Sequence, residues 1–192
     1  ILPKDQIIPG EKLEMGSSVK VYVSKLEIGP KGPFIMLSRS HYGFIKRLLE
    51  IEIPELSDGT IMLYSVARDA GSRSKIAVYT EYTNVDPIGA VIGEKGRRIA
   101  NVLKELSGEK IDVILYDKDP VNFIANALSP AKDVKVSIKD ETKKEALALV
   151  NDKNLSLAIG KKGQNVKLAS RLTHYKIEVK PEEQENTETT EE

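Results

Sequence analysis

The chain has 192 residues, 40% of them apolar, with 29 basic and 29 acidic side chains and neither cysteine nor tryptophan. That length holds one or two small domains rather than a single large enzyme, and the absence of cysteine excludes disulfide frameworks, thiolate metal sites and cysteine nucleophiles. No run approaches the roughly 18 uninterrupted apolar residues of a membrane-spanning helix, so a soluble, cytoplasmic chain without membrane contact is expected.

Taken in order, residues 42–51 (YGFIKRLLEI) place Phe44, Ile45, Leu48 and Leu49 at helical spacing. Thr60 to Ala67 and Lys75 to Thr80 then read as strands of a hairpin around Asp69-Ala70-Gly71-Ser72. A short helix, Pro87 to Ile92, runs into Ile92-Gly93-Glu94-Lys95-Gly96. Ile99, Val102, Leu103 and Leu106 predict an amphipathic helix beyond it, and the alternation of Lys110-Ile111-Asp112-Val113 predicts a half-buried strand.

The same order then recurs. Residues 120–128 (PVNFIANAL) read as a helix, and residues 133–139 pair with 146–150 around Asp140-Glu141-Thr142. Leu155 to Ile159 leads into Ile159-Gly160-Lys161-Lys162-Gly163, 67 positions after the first glycine motif. Val166, Ala169 and Leu172 mark the following helix, and Lys176-Ile177-Glu178-Val179 the last strand. An internal repeat of this kind predicts two α+β modules, each a helical layer on a three-stranded sheet. From Pro181 on, PEEQENTETTEE carries six acids and no base, which leaves residues 1–180 at +6; this tail is expected to be disordered.

The chemistry lies in the glycine pairs. Without a Cβ, backbone can approach a ligand closely and adopt positive φ, and the helix that starts at the second glycine points N–H groups and its positive dipole end at an anion. Lys95, Arg97 and Arg98 in the first copy, and Lys161, Lys162 and Lys167 in the second, add charge there. Ile92 and Ile159 can wall a shallow apolar groove for unstacked bases, the way KH modules hold about four nucleotides.

Four stretches carry a closer likeness: Asn84-Val85-Asp86-Pro87-Ile88-Gly89, the first glycine motif, Phe123-Ile124-Ala125-Asn126-Ala127-Leu128-Ser129-Pro130-Ala131, and Leu155 through Asn165. Together they resemble the NusA family of bacterial transcription factors. That resemblance implies two tandem type II KH domains side by side, forming one surface for single-stranded nascent RNA. It also implies a role in elongation, pausing, termination and antitermination, with RNA polymerase engaged mainly by parts outside this chain. Carried over, the RNA-contacting loops are Gly93, Glu94, Lys95, Gly96, Arg97 and Arg98, and Gly160, Lys161, Lys162, Gly163, Gln164 and Asn165, flanked by Ile92 and Ile159. Glu94 departs from the basic or neutral residue that suits a phosphate. Val19 to Val23, Gly29-Pro30-Lys31-Gly32-Pro33 and Phe34 to Ser38 resemble the closing strands of an S1 domain, an OB-type barrel. Its opening strands would precede Ile1, so the chain reads as a fragment whose remnant is poorly ordered or borrows neighbours. The expected domains are a partial S1 at 1–40, KH domains at 41–117 and 118–180, and the acidic tail at 181–192.

No catalytic pattern competes. His41 and His174 fall in different copies without metal-ligand spacing, and neither glycine cluster forms a P-loop or a GxGxxG fingerprint. No enzyme activity, metal or nucleotide cofactor is expected, and the chain is expected to be a monomer. A KH-fold module that binds protein instead of RNA stays open at this point, as does membership of another RNA-associated KH family.

Overall fold

Residues 1–182 are described by the computed structural model; the predicted acidic tail lies, from residue 183 on, outside the described residues. An antiparallel hairpin of β1 (Tyr22–Gly29) and β2 (Gly32–Ser38) leads into α1 (Tyr42–Glu52). His41 caps that helix, its Nδ1 accepting from the Gly43 N–H at 3.0 Å, and Phe44, Ile45, Leu48 and Leu49 form the buried stripe their spacing predicts. One short turn, α2 (Pro54–Ser57), was not legible in the apolar pattern; Pro54 at its first position sets it.

Two three-stranded sheets of the same topology follow. The first orders β3 (Met62–Asp69), β4 (Arg73–Tyr79) and β5 (Lys110–Leu115), antiparallel then parallel, and is layered with α1, α3 (Pro87–Ile92) and α4 (Arg97–Lys104). The second orders β6 (Lys135–Asp140), β7 (Glu145–Val150) and β8 (Lys176–Pro181), with α5 (Pro120–Ala127), α6 (Asp152–Ile159) and α7 (Gln164–Thr173). Boundaries differ from expectation where side chains cap the backbone. Thr60 stays out of β3 because its N–H bonds Asp58 Oδ1 at 2.8 Å, and α6 starts three residues before Leu155 because Asn151 caps the Asn154 N–H at 3.0 Å. The strand expected over Val19 to Val23 instead begins at Tyr22 and runs to Gly29.

Packing joins the modules rather than leaving them separate. Strand β4 is buried on both faces. Ile76 and Val78 enter a core with Phe44, Leu49, Val91 and Val102, whereas Ala77, with Ala67 and Ile114, packs against Phe123, Ile124, Ala127, Leu168 and Leu172 of the second module. The small residues Ala67 and Ala77 let α5 and α7 come close. Tyr64 stacks on Tyr116 with centroids 3.8 Å apart, and Phe123 meets both rings edge-on. Fully buried Lys75 crosses the seam, donating to Asp112 Oδ2 at 3.0 Å and to the Ser129 carbonyl at 2.7 Å. Burial pushes the Lys75 ammonium down from the usual lysine range, against the pull of Asp112. Burial alone would raise the Asp112 carboxyl; the hydrogen bonds and charges of Arg73 and Lys75 outweigh it and hold the group below the usual range.

The first 40 residues borrow their neighbours. The Ile1 ammonium donates to Ile35 O and the Leu37 N–H to Ile1 O, Ile8 is buried in the first module's core, and the buried Arg39 guanidinium pairs with Glu11 and donates to Glu105 O. Beneath it Arg68 and Glu109, with side chains 2% and 0% exposed, form a second pair. Glu109 also accepts from the Gly71 N–H and Ser74 Oγ, so its oxygens are satisfied. The hairpin itself leaves Val23, Leu26, Ile28 and Ile35 exposed, a face compatible with barrel strands that would complete it.

Candidate nucleic-acid interface

Each glycine motif sits between two helices. Asp86 caps the Ile88 N–H at 3.1 Å and Pro87 opens α3, which stops at Gly93; α6, capped by Asn151, stops at Gly160. The stop is a backbone matter. Gly93 (φ 74°, ψ 171°) and Gly160 (φ 77°, ψ 169°) occupy a region essentially closed to other residues. Lys95 (φ 52°, ψ 27°) and Lys162 (φ 54°, ψ 26°) are both left-handed, as are Gly96 and Gly163. The two loops therefore share one conformation, although only the isoleucine, the glycines and the second variable lysine are common to them. Of the six non-glycine residues with positive φ among the described residues, Lys95 and Lys162 fall at matching positions of the repeat, so the shape of the loop is repeated with it.

The turns use part of their own donor set. Gly96 N–H closes on Gly93 O and Gly163 N–H on Gly160 O, each at 3.0 Å, and the Arg97 and Gln164 N–H groups close on Glu94 O and Lys161 O. A phosphate seat therefore relies more on the lysines than the sequence suggested. Glu94, Lys95, Arg97, Lys161 and Lys162 are exposed, and Ile92 and Ile159 reach the surface beside their loops. Arg98 and Asn165 turn the other way. Arg98 donates to Glu55 at 2.8 Å and Ala90 O at 2.9 Å, while buried Asn165 donates to Ala158 O and Leu128 O. Both stand five residues after the first glycine and tie the second helix to the end of the first. Sequence reasoning grouped them with the ligand-facing residues; their hydrogen bonds make them supports of the loop.

At the second loop a cleft of about 400 Å³ opens at the seam, lined by Lys161, Lys162, Gln164, Lys167 and Arg171 with Asp69 and Ser72 from the first module's hairpin. Lys167, named in the sequence as charge near this turn though not among the RNA-contacting residues, and Arg171, which was not named, are four apart and so share one face of α7. Nothing local points to Asp69 or Ser72, which come from more than 90 residues away.

Residues 39–116 match the family described as the NusA-like first KH domain, and residues 120–187 the NusA-like second KH domain. The chain belongs to the NusA family. Its α+β fold is thus two KH domains in tandem, the two modules the repeat predicted and the fold the resemblance implied. "Transcription termination/antitermination protein NusA" of Halalkalibacterium halodurans is 50% identical over 182 residues, 95% of this chain and 47% of that protein. The NusA proteins of Bacillus subtilis (50% identical, 95% of this chain, 49% of that protein) and Thermus thermophilus (47% identical, 92% and 45%) are similar in the same way. The chain spans about half the length of the curated relatives it matches. Among solved structures, the crystal structure of APE1850 shares the fold with a TM-score of 0.51 at 23% identity, over 71% of this chain and 96% of that one.

Proposed function

We propose that the chain binds single-stranded RNA through its two glycine loops, as the RNA-gripping part of a factor acting in transcription elongation, pausing, termination and antitermination. The observation that carries this is the duplicated loop: one strained conformation built twice, each time with exposed cations at its tip. Lys95, Arg97, Lys161 and Lys162 neutralise phosphates, Gly93, Gly96, Gly160 and Gly163 let the strand approach, and Ile92 and Ile159 bound the groove for bases. Glu94 stands beside the first seat and weakens it relative to the second. Arg98 and Asn165 hold the loops in place, and Gln164 lies at the edge of the second.

The proposed division is a partial S1 domain over 1–40, KH domains over 41–117 and 118–180, and an acidic tail over 181–192. We read the chain as a bacterial cytoplasmic monomer without catalytic activity, metal or nucleotide cofactor. Its relatives' names support a role in transcription termination and antitermination, and the family resemblance places it beside RNA polymerase, engaged largely by parts of the protein beyond this chain.

Fluorescence anisotropy with unstructured and hairpin RNAs of equal length, across salt, tests the reading on the parent and on Lys95→Asp plus Lys162→Asp. Preference for the single strand, with a log-log salt slope of about −0.7 per neutralised phosphate that shrinks in the variant, is the expected result. Binding that is absent in the parent, or unchanged in the variant, would instead favour a KH module that contacts protein.

A further inference from the structure

Gln164, the first residue of α7, is held across the seam by the first module. Its Nε2 donates to Asp69 Oδ2 at 2.7 Å and to Ser72 Oγ at 2.7 Å. A carboxylate accepts and cannot donate, so only the NH₂ end of the amide can face Asp69. Ser72 could donate to a flipped amide, but Asp69 could not, so a flip loses the Asp69 hydrogen bond and sets Oε1 against a carboxylate oxygen. The other end of the amide, Oε1, has no partner among the described residues, and the side chain lines the basic cleft beside Lys161 and Lys162. The matching position in the first module is Arg97, an exposed cation whose guanidinium has no hydrogen bond or ion pair among the described residues. The two loops share a backbone, yet one offers an exposed donor at this position and the other an acceptor oriented by Asp69 and Ser72.

We infer that Gln164 is a specificity-determining residue: the clasp of Asp69 and Ser72 locks Oε1 as a hydrogen-bond acceptor that selects a donor on the bound strand, and the first KH domain thereby sets the readout of the second. This rests on RNA lying at the loops. A single strand offers donors at the exocyclic amino group of adenine, cytosine or guanine, at the ring N–H of uracil, thymine or guanine, and at the ribose 2′-hydroxyl. The amino group and the 2′-hydroxyl are the donors assigned to Oε1; uracil lacks the first and DNA the second, and a preference for U over A and C would point to the ring N–H and overturn that assignment. One satisfied hydrogen bond corresponds to discrimination of about three- to ten-fold.

The test compares unstructured strands containing only A, only C or only U, as RNA and as DNA (T replacing U), on the parent, Asp69→Asn and Gln164→Met, with folding checked by thermal melting. Asp69→Asn matters most because an asparagine can donate or accept, which frees the amide to turn, while removing a negative charge from a basic cleft leaves overall affinity equal or higher. The expected result is a preference for A and C over U, or for RNA over DNA, that collapses toward unity in both variants. A parent without either preference, or one whose preference survives in both variants, overturns the inference. Lys95→Asp plus Lys162→Asp, run alongside, separates the failures: if that variant loses RNA while Asp69→Asn keeps its discrimination, only the clasp falls, and if it binds like the parent, the RNA reading falls too.

Discussion

Gly93 and Gly160 share a backbone conformation but meet different neighbours. A Cβ on Gly93 would lie 2.7 Å from Arg98 Cγ, part of a side chain that can move, whereas one on Gly160 would lie 2.7 Å from the backbone nitrogen of Asn165, which cannot move without shifting α7. Replacing either with alanine adds a conformational penalty of about 1–3 kcal/mol. We therefore expect both variants to lose stability in denaturant titrations, Gly160→Ala by the larger amount. The same residues explain why the loops were legible in the sequence and their supports were not. A glycine pair announces positive φ, but nothing in a one-dimensional pattern says that Arg98 or Asn165 turns inward.

Elements are pinned by buried charge. The pair of Arg68 on β3 and Glu109 before β5 also collects Arg39 O, His41 O, the Gly71 N–H and Ser74 Oγ, so it ties α1, the first hairpin and the last strand of the sheet together. Removing one partner leaves a buried charge alone, and Glu109→Ala should cost about 3–5 kcal/mol. The double change Arg68→Met plus Glu109→Leu should cost less than the two single losses combined, measured as a coupling energy in a double-mutant cycle. The packing of these elements is also sensitive to acid. Asp112 and Glu11 both have carboxyls below their usual range: burial opposes this in each, and the hydrogen bonds and charges of Arg73 and Lys75, and of Arg39, outweigh it. A folded pKa below the unfolded one stabilises the fold above the ordinary carboxylate range, and that contribution is lost as pH falls through the lowered folded value. Stability measured against pH should accordingly drop below the usual carboxylate range, and Asp112→Asn, less stable at neutral pH, should show a shallower drop.

For the molecule as a whole, the two KH domains share a core. Ala67, Ala77 and Ile114 of the first sheet would be exposed if the second domain were removed, and the aromatic cluster of Tyr64, Tyr116 and Phe123 spans the seam. One cooperative unfolding transition is therefore expected for residues 1–182, not two. Phe123→Ala should lower it by about 3–5 kcal/mol and, by opening the shared core, split the transition when tryptophan probes placed separately in each module are followed. The N-terminal hairpin lies outside this shared core and leaves Val23, Leu26, Ile28 and Ile35 exposed.

What the chain's sequence determined by itself is local: the helical stripe of residues 42–51, the strand alternations, the glycine loops and the repeat that relates them, because each depends on spacing of a few residues along one segment. Such patterns do not carry distance across modules. That β4 would be buried on both faces, that Lys75 would reach Ser129, and that Asp69 and Ser72 would hold Gln164 were decided by tertiary structure alone. The hydrogen bonds of Lys75 and Gln164 join residues 54 to 95 apart, and their energy comes from desolvation and hydrogen bonding that exist only once the two sheets have packed.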